Sequence, residues 1–330
     1  MDYAMLGKTG FRVSRLGFGS SGMGNIYTSV EQDEINRNVA EAVDEYGINY
    51  FDVAPSYGPE GLAETRLGIG LEGRRSRVIL ATKAGRYDHG TEDRSAFEVD
   101  FSAKRTRLEL ENSLRRLRTD YVDLYQLHDI TNSGDLDLLV EETLPELEKM
   151  KREGKIRAIG LTGAHLGAME YVASRSSCVD AVLTFGRYNL MDVTLEDYAP
   201  KFRALGNIGI INSSLMFMGH LTMDHREVKD WRNHRDENSP FIIAVEEAKE
   251  FCRQRGADLG EAAVRFGLCC EHCADTTLIA MARLERMRQN VALYYDRNNQ
   301  DPELRDGLRR ILGGRFPWKV PAVSELVKKH

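Results

Sequence analysis

"YFDVAPSYG", Tyr50 to Gly58, begins as an apolar strand and ends on a Pro/Gly turn. Asp52 stands at the strand's inner end, where a carboxylate costs several kcal/mol unless it is paired. Tyr57 follows five residues later, between a serine and a glycine. On either side lie helical patterns, "VEQDEINRNVAEAVDEYG" before and "GLAETRLGIGLEG" after, and then another apolar run, "RVILATK". The segment thus reads as one strand–loop–helix unit with two polar groups placed where the strand meets its loop.

The unit recurs along the chain. Strands are predicted at 14–19, 48–54, 77–83, 121–128, 156–162, 179–185, 208–214 and 275–281. Helical patterns separate them: "SAKRTRLELENSLRRLR", "VEETLPELEKMKREG", "GAMEYVASR", "LEDYAPKFRALG", "FIIAVEEAKEFCRQRG" and "LGEAAVRFGL". Ser29 with Gln32 reads as a capping box, and Gly47, Gly154, Gly206 and Gly256 stand where helices end. Continuous apolar strands alternating with helices mean a parallel sheet covered by helices. Eight such units without a linker predict a single domain over 1–330, a closed α/β (β/α)8 TIM barrel. "YAMLGKTGFRV" reads as an N-terminal β-hairpin turning at Lys8–Gly10. Long irregular stretches follow the third strand (85–101) and the seventh (216–240), on the C-terminal face where barrel sites are built, and a third runs from Arg297 to the end.

Composition narrows the class of partner. With 45 Lys+Arg against 51 Asp+Glu the net charge is −6, and no basic stripe favours nucleic acid or an anionic membrane. No apolar run approaches a membrane span and no signal-peptide pattern opens the chain. Five cysteines in so long a chain read as reduced thiols in a cytoplasmic protein. Cys269, Cys270, His272 and Cys273 invite a metal reading, but structural zinc sites use two separated ligand pairs. On a continued helix Cys269 and Cys273 would share a face, away from Cys270 and His272, so packed thiols and no metal are expected.

"GFGSSG", Gly17 to Gly22, satisfies a dinucleotide-binding pattern that requires its last glycine to open a helix. Here the helix is expected only after Ser29, so the match reads as chance. Small residues such as Gly19 and Ser20 still allow a ligand close to the backbone.

Polar residues at neighbouring strand ends carry the chemistry. Asp52 and Tyr57 belong to the second strand, Lys83 ends the third and His128 the fourth. Each singly has an ordinary role, as turn cap, packing lid, snorkelling cation or satisfied imidazole. Together at one barrel mouth they form a proton-transfer set. A nearby ammonium lowers the pKa of a phenol, and a carboxylate keeps a buried lysine charged. Such a set suits proton exchange at a carbonyl or alcohol oxygen, the companion of hydride transfer to a nicotinamide.

"GINYFDVAPSYGPEGLAETRLG" (47–68), with "ILATKAG", "DYVDLYQLHD" and "GKIRAIGLTG", resembles the aldo-keto reductase superfamily over nearly the whole chain. "GLTG", "TFGRYNL" and "FPW" look most like its L-galactose dehydrogenase and L-fucose or D-threo-aldose 1-dehydrogenase branch. The resemblance implies a barrel with NAD or NADP extended across its mouth. It implies Asp52, Tyr57, Lys83 and His128 as the catalytic tetrad, with Tyr57 as acid/base. It implies cofactor contacts at Gly19, Ser20, Asp52, Thr162, Gly163, Ser213, Ser214, Gly219, Ala280, Ala282, Arg286, Gln289 and Asn290. Thr162–Gly163 replaces a common Ser-Asn, Phe185 a glutamine, Ser213 an aromatic, and Ala280 a lysine that helps hold a 2′-phosphate; Arg283 or Arg286 could pair that phosphate instead. The activity implied is oxidation of an aldose at C1 to a lactone. The alternatives are reduction of aldehydes or ketones at the same site, and a redox-sensing barrel with little turnover. The substrate is a small sugar or carbonyl compound, and monomer and homo-oligomer both fit.

Overall fold

Each predicted strand becomes a stave of one closed parallel barrel. The computed structural model describes residues 1–26, 29–87, 97–222, 239–315 and 321–327. In chain order the strands are β1 (Tyr3–Met5), β2 (Arg12–Ser14), β3 (Leu16–Gly19), β4 (Tyr50–Asp52), β5 (Ile79–Ala84), β6 (Arg86–Tyr87) and β7 (Glu98–Val99). They continue as β8 (Val122–Leu127), β9 (Ile156–Gly163), β10 (Ala181–Phe185), β11 (Gly209–Ser213) and β12 (Thr276–Ala280). The barrel runs β3-β4-β5-β8-β9-β10-β11-β12 and closes by pairing β12 with β3. Its strands are one or two residues shorter than the apolar runs at most ends. β8 is buried at every position, as a strand covered on both faces must be.

Helices cover the outside with apolar stripes. Gln32–Asp44, for example, buries Ile35, Val39, Ala42 and Val43, a spacing of three and four residues. The hairpin of β1 and β2 closes the N-terminal end. Leu6, Phe11 and Val13 pack there against Tyr50, Ala81, Leu124, Ala158, Ala181 and Ile211 inside the barrel. A larger cluster fills the layer between barrel and helices.

Four local expectations are corrected. The first helix starts at Gln32 with Glu31 as its N-cap and no side-chain cap, so Ser29 lies two residues too early to cap it; its carbonyl accepts from Arg283 at 3.0 Å. The stretch after β5 carries β6 and β7, paired antiparallel. The tail is not irregular throughout: Pro302–Leu312 is a helix, capped by Asp301 and opened by Pro302, and Leu284–Tyr295 is another the apolar pattern did not single out. The helix before the cysteines ends at Leu268, so Cys270 and Cys273 are the buried pair while Cys269 is partly exposed. Gly47, Gly154, Gly206 and Gly256 do follow helices, each with positive φ. "FPW" and residues 223–238 of the loop after β11 lie outside the described residues. Among the described residues no helix is long and apolar enough to cross a membrane, and no group of three His, Cys, Asp or Glu could hold a metal ion.

Candidate active site

The C-terminal mouth opens into a cavity of about 590 Å³. Asp52, Tyr57, Lys83 and His128 all line it. β4 and β5 are adjacent, and so are β5 and β8, which brings residues 31 positions apart into contact. The Lys83 ammonium forms an ion pair with Asp52 Oδ1 and donates to the Val53 carbonyl at 2.9 Å. It lies 3.2 Å from the Tyr57 hydroxyl. The Tyr57 and His128 rings meet edge to face, 5.8 Å between centroids.

Tyr57 is positioned by a contact between two loops. Gly58 takes φ +85, open to glycine but strained for other residues, and its backbone packs directly on Gly24. A Cβ on Gly24 would stand 2.1 Å from the Tyr57 carbonyl oxygen. The glycine-rich stretch after β3 therefore seats the Tyr57 turn. Gly22 lies inside the short 3-10 turn Ser21–Gly24, ten residues before the first helix, which excludes the dinucleotide-fingerprint geometry.

Burial works against the Lys83 ammonium, but Asp52 and Tyr57 outweigh it and hold its pKa above the ordinary lysine value. For Tyr57 the balance goes the other way. Burial raises its hydroxyl above the ordinary phenol value, Lys83 opposes this, and Asp52 reinforces it. The sequence-based expectation of a lowered pKa is thus corrected: the ammonium limits the rise without reversing it. At neutral pH the group is a protonated donor held beside a fixed cation.

Some supporting residues were not singled out from sequence. Gln126 donates to Asp52 Oδ2 at 2.8 Å, so both carboxylate oxygens are engaged. It lies two residues before His128, a period-2 spacing that could have placed it on the inward face. Ser56 Oγ lies 3.4 Å from His128 Nδ1. Glu64, from the same signature stretch, is fully buried and accepts from the Thr82 hydroxyl at 2.5 Å and Arg116 at 2.6 Å. It ties the helix Leu62–Gly70 to the residue next to Lys83.

Of the expected cofactor contacts, Gly19, Ser20, Asp52, Thr162, Gly163, Ser213, Ser214, Gly219, Ala280, Ala282 and Arg286 line the cavity. Gln289 and Asn290 do not. Gln289 is exposed and near Glu285, while Asn290 is buried with its amide toward the Ala280 carbonyl at 3.5 Å. Ser213 Oγ is spent on the Thr184 carbonyl at 2.9 Å. Ser20 Oγ and Ser214 Oγ are buried without a partner among the described residues, and Ser214 holds a left-handed φ of +66. Unmet hydroxyls and a strained backbone on a cavity wall fit a ligand rich in acceptors, as a dinucleotide is. Arg286 makes no ion pair with another described residue and could meet its phosphate.

The sequence model of the Aldo/keto reductase family matches residues 15–301. L-galactose dehydrogenase of Arabidopsis thaliana is 37% identical over 297 residues, covering 88% of each chain. D-threo-aldose 1-dehydrogenase of Pseudomonas sp is 30% identical over 280 residues, 78% of this chain and 83% of that one. The solved holo form of an aldo-keto reductase from Bacillus halodurans superposes with a TM-score of 0.73 at 28% identity, over 95% of this chain and 97% of that one. The chain belongs to the aldo/keto reductase family and is a nicotinamide-dependent oxidoreductase.

Proposed function

We propose that this chain oxidises a neutral aldose at its anomeric carbon to the lactone, and that it can run the reverse chemistry on aldehydes or ketones. The observation that carries the reading is the Lys83 ammonium, fixed by Asp52 and set 3.2 Å from the Tyr57 hydroxyl inside the cavity. The sugar dehydrogenases among the relatives favour an aldose over a simple aldehyde as substrate.

A nicotinamide dinucleotide, NAD or NADP, supplies the acceptor or donor for the hydride when bound, with Ser20, Thr162, Gly163, Ser214, Gly219 and Arg286 as the residues that would hold it. Tyr57 exchanges the proton at the substrate oxygen. In reduction its protonated hydroxyl gives that proton directly. In oxidation it must take one, and the adjacent ammonium stabilises the phenolate that does so. Asp52 and Gln126 keep Lys83 charged and in place, and His128 lies where an imidazole can hydrogen-bond the same oxygen. Residues 1–330 would act as one domain in the cytosol, with a small-molecule substrate and without a nucleic-acid or membrane partner.

Steady-state turnover of aldoses and aldehydes with NAD and NADP, in both directions, tests the reading. Tyr57→Phe keeps the ring, so it should lower turnover by about 10²–10⁴ while cofactor binding persists. Wild-type protein that binds cofactor but turns over no aldose or aldehyde would overturn the proposal.

A further inference from the structure

The cavity holds a second ion pair that proton transfer does not use. β5 ends at Ala84, the chain turns at Gly85 with φ +99, and Arg86 follows, only 6% exposed. Glycine is required at the turn, because a Cβ would lie 2.1 Å from the Phe101 ring. Asp129 comes directly after His128 with φ +50, a conformation that costs a non-glycine residue about 1–2 kcal/mol. Its N–H donates to Thr162 Oγ1 at 3.0 Å, which holds it there. The Arg86 guanidinium pairs with the Asp129 carboxylate, and the Phe97 ring covers the guanidinium at 4.2 Å. Arg86, Phe97 and Asp129 line the cavity beside His128. Asp129 is also among the charges felt at the Tyr57 hydroxyl, so it shares that chamber.

A lone guanidinium in such a chamber would draw in carboxylates, and a lone carboxylate would repel them. The pair has no net charge but presents acceptor and donors side by side. Adjacent hydroxyls on a sugar ring offer the complementary donor and acceptor, and hydrogen bonds to charged groups are the stronger kind. We propose that Arg86 and Asp129 are specificity-determining residues: together they engage neighbouring hydroxyls of a neutral polyol, and Asp129, by neutralising Arg86, denies an advantage to carbonyl substrates that carry a carboxylate. This rests on the aldose reading above and names the substrate class within it. Backbone strain at Asp129 is the cost of placing its carboxylate on the cavity wall.

Asp129→Asn removes the charge, keeps the shape and suits the left-handed backbone, which asparagine tolerates. The test compares kcat/KM for L-galactose, butyraldehyde and the anionic succinic semialdehyde, in wild type and variant. Relative to butyraldehyde, L-galactose should fall about 10- to 100-fold and the anionic aldehyde should rise about tenfold. Arg86→Gln leaves Asp129 unneutralised and should move the anionic aldehyde the opposite way, by about tenfold. Cofactor Kd by fluorescence titration, within about threefold of wild type, checks that both variants fold. Equal changes for all three probes, or the same sign for the anionic aldehyde in both variants, would overturn the proposal and leave the aldose reading standing. Wild type that turns over aldehydes but no aldose would overturn both.

Discussion

At the N-terminal end of the barrel, Leu6, Phe11 and Val13 from the hairpin fill the opening with apolar side chains. At the C-terminal end the barrel strands carry Asp52, Lys83 and, just beyond, His128 around a cavity of about 590 Å³, with Gln126 bonded to Asp52. The two ends differ in what their residues do for the folded state. Burying Leu6 completely stabilises it by removing hydrocarbon from water. Burying Lys83 stabilises it only while Asp52 answers the charge. One end can be altered at a cost in stability alone. At the other, stability and chemistry share residues but can be separated by choosing which atom to remove.

Tyr57→Phe should give the sharpest separation: turnover falls by orders of magnitude while the thermal midpoint moves little, since the hydroxyl is part of the site rather than of the ion pair's main support. A large drop in midpoint would erase the distinction between the two ends. Next, Lys83→Met removes one partner of a buried pair and should cost about 3–5 kcal/mol in denaturant unfolding, along with activity. Adding Asp52→Asn should return much of that stability and none of the activity. Failure of the second substitution to help would mean that Asp52 is not the group left unpaired. Leu6→Ala at the closed end should cost about 2–5 kcal/mol with kcat unchanged at temperatures where the protein stays folded. A matching fall in kcat would show that the ends are coupled.

The smallest effect is in pH. Burial raises the Tyr57 pKa above its ordinary value of 10.0, so the proton donor is intact through the neutral range. Carbonyl reduction should change less than about twofold between pH 6 and 9, then fall as pH rises through the raised value, and oxidation should rise in the same direction. An inflection near neutrality in the kcat/KM profile would assign the proton to another group.

Much of the barrel is legible in sequence because its strands are buried on both faces and so read as unbroken apolar runs between amphipathic helices. Where that signal weakens, the reading fails. Arg86–Tyr87 and Glu98–Val99 are too short and polar to stand out, and their pairing sets Arg86 opposite Val99 and Tyr87 opposite Glu98, which local periodicity does not report. Ser29 and Gln32 have the spacing of a capping box, but the helix begins only at Gln32, which leaves Ser29 two residues ahead of the N-cap. A helix continued through Cys273 would put Cys269 and Cys273 on one face, but the helix ends at Leu268, and the turn that follows buries Cys270 beside Thr277 instead.

By itself the sequence determined the alternation of strand and helix, and hence the barrel, together with the four polar residues at neighbouring strand ends, because periodicity and spacing are local properties. Tertiary structure alone decided the rest. It set Gln126 on the second oxygen of Asp52, joined Arg86 to Asp129 and turned Gln289 away from the cavity, since each depends on which strands become neighbours. It also decided the direction of the Tyr57 pKa. A nearby cation can be guessed from a motif, but desolvation is a sum over everything the fold packs around the hydroxyl, and here burial outweighs the ammonium.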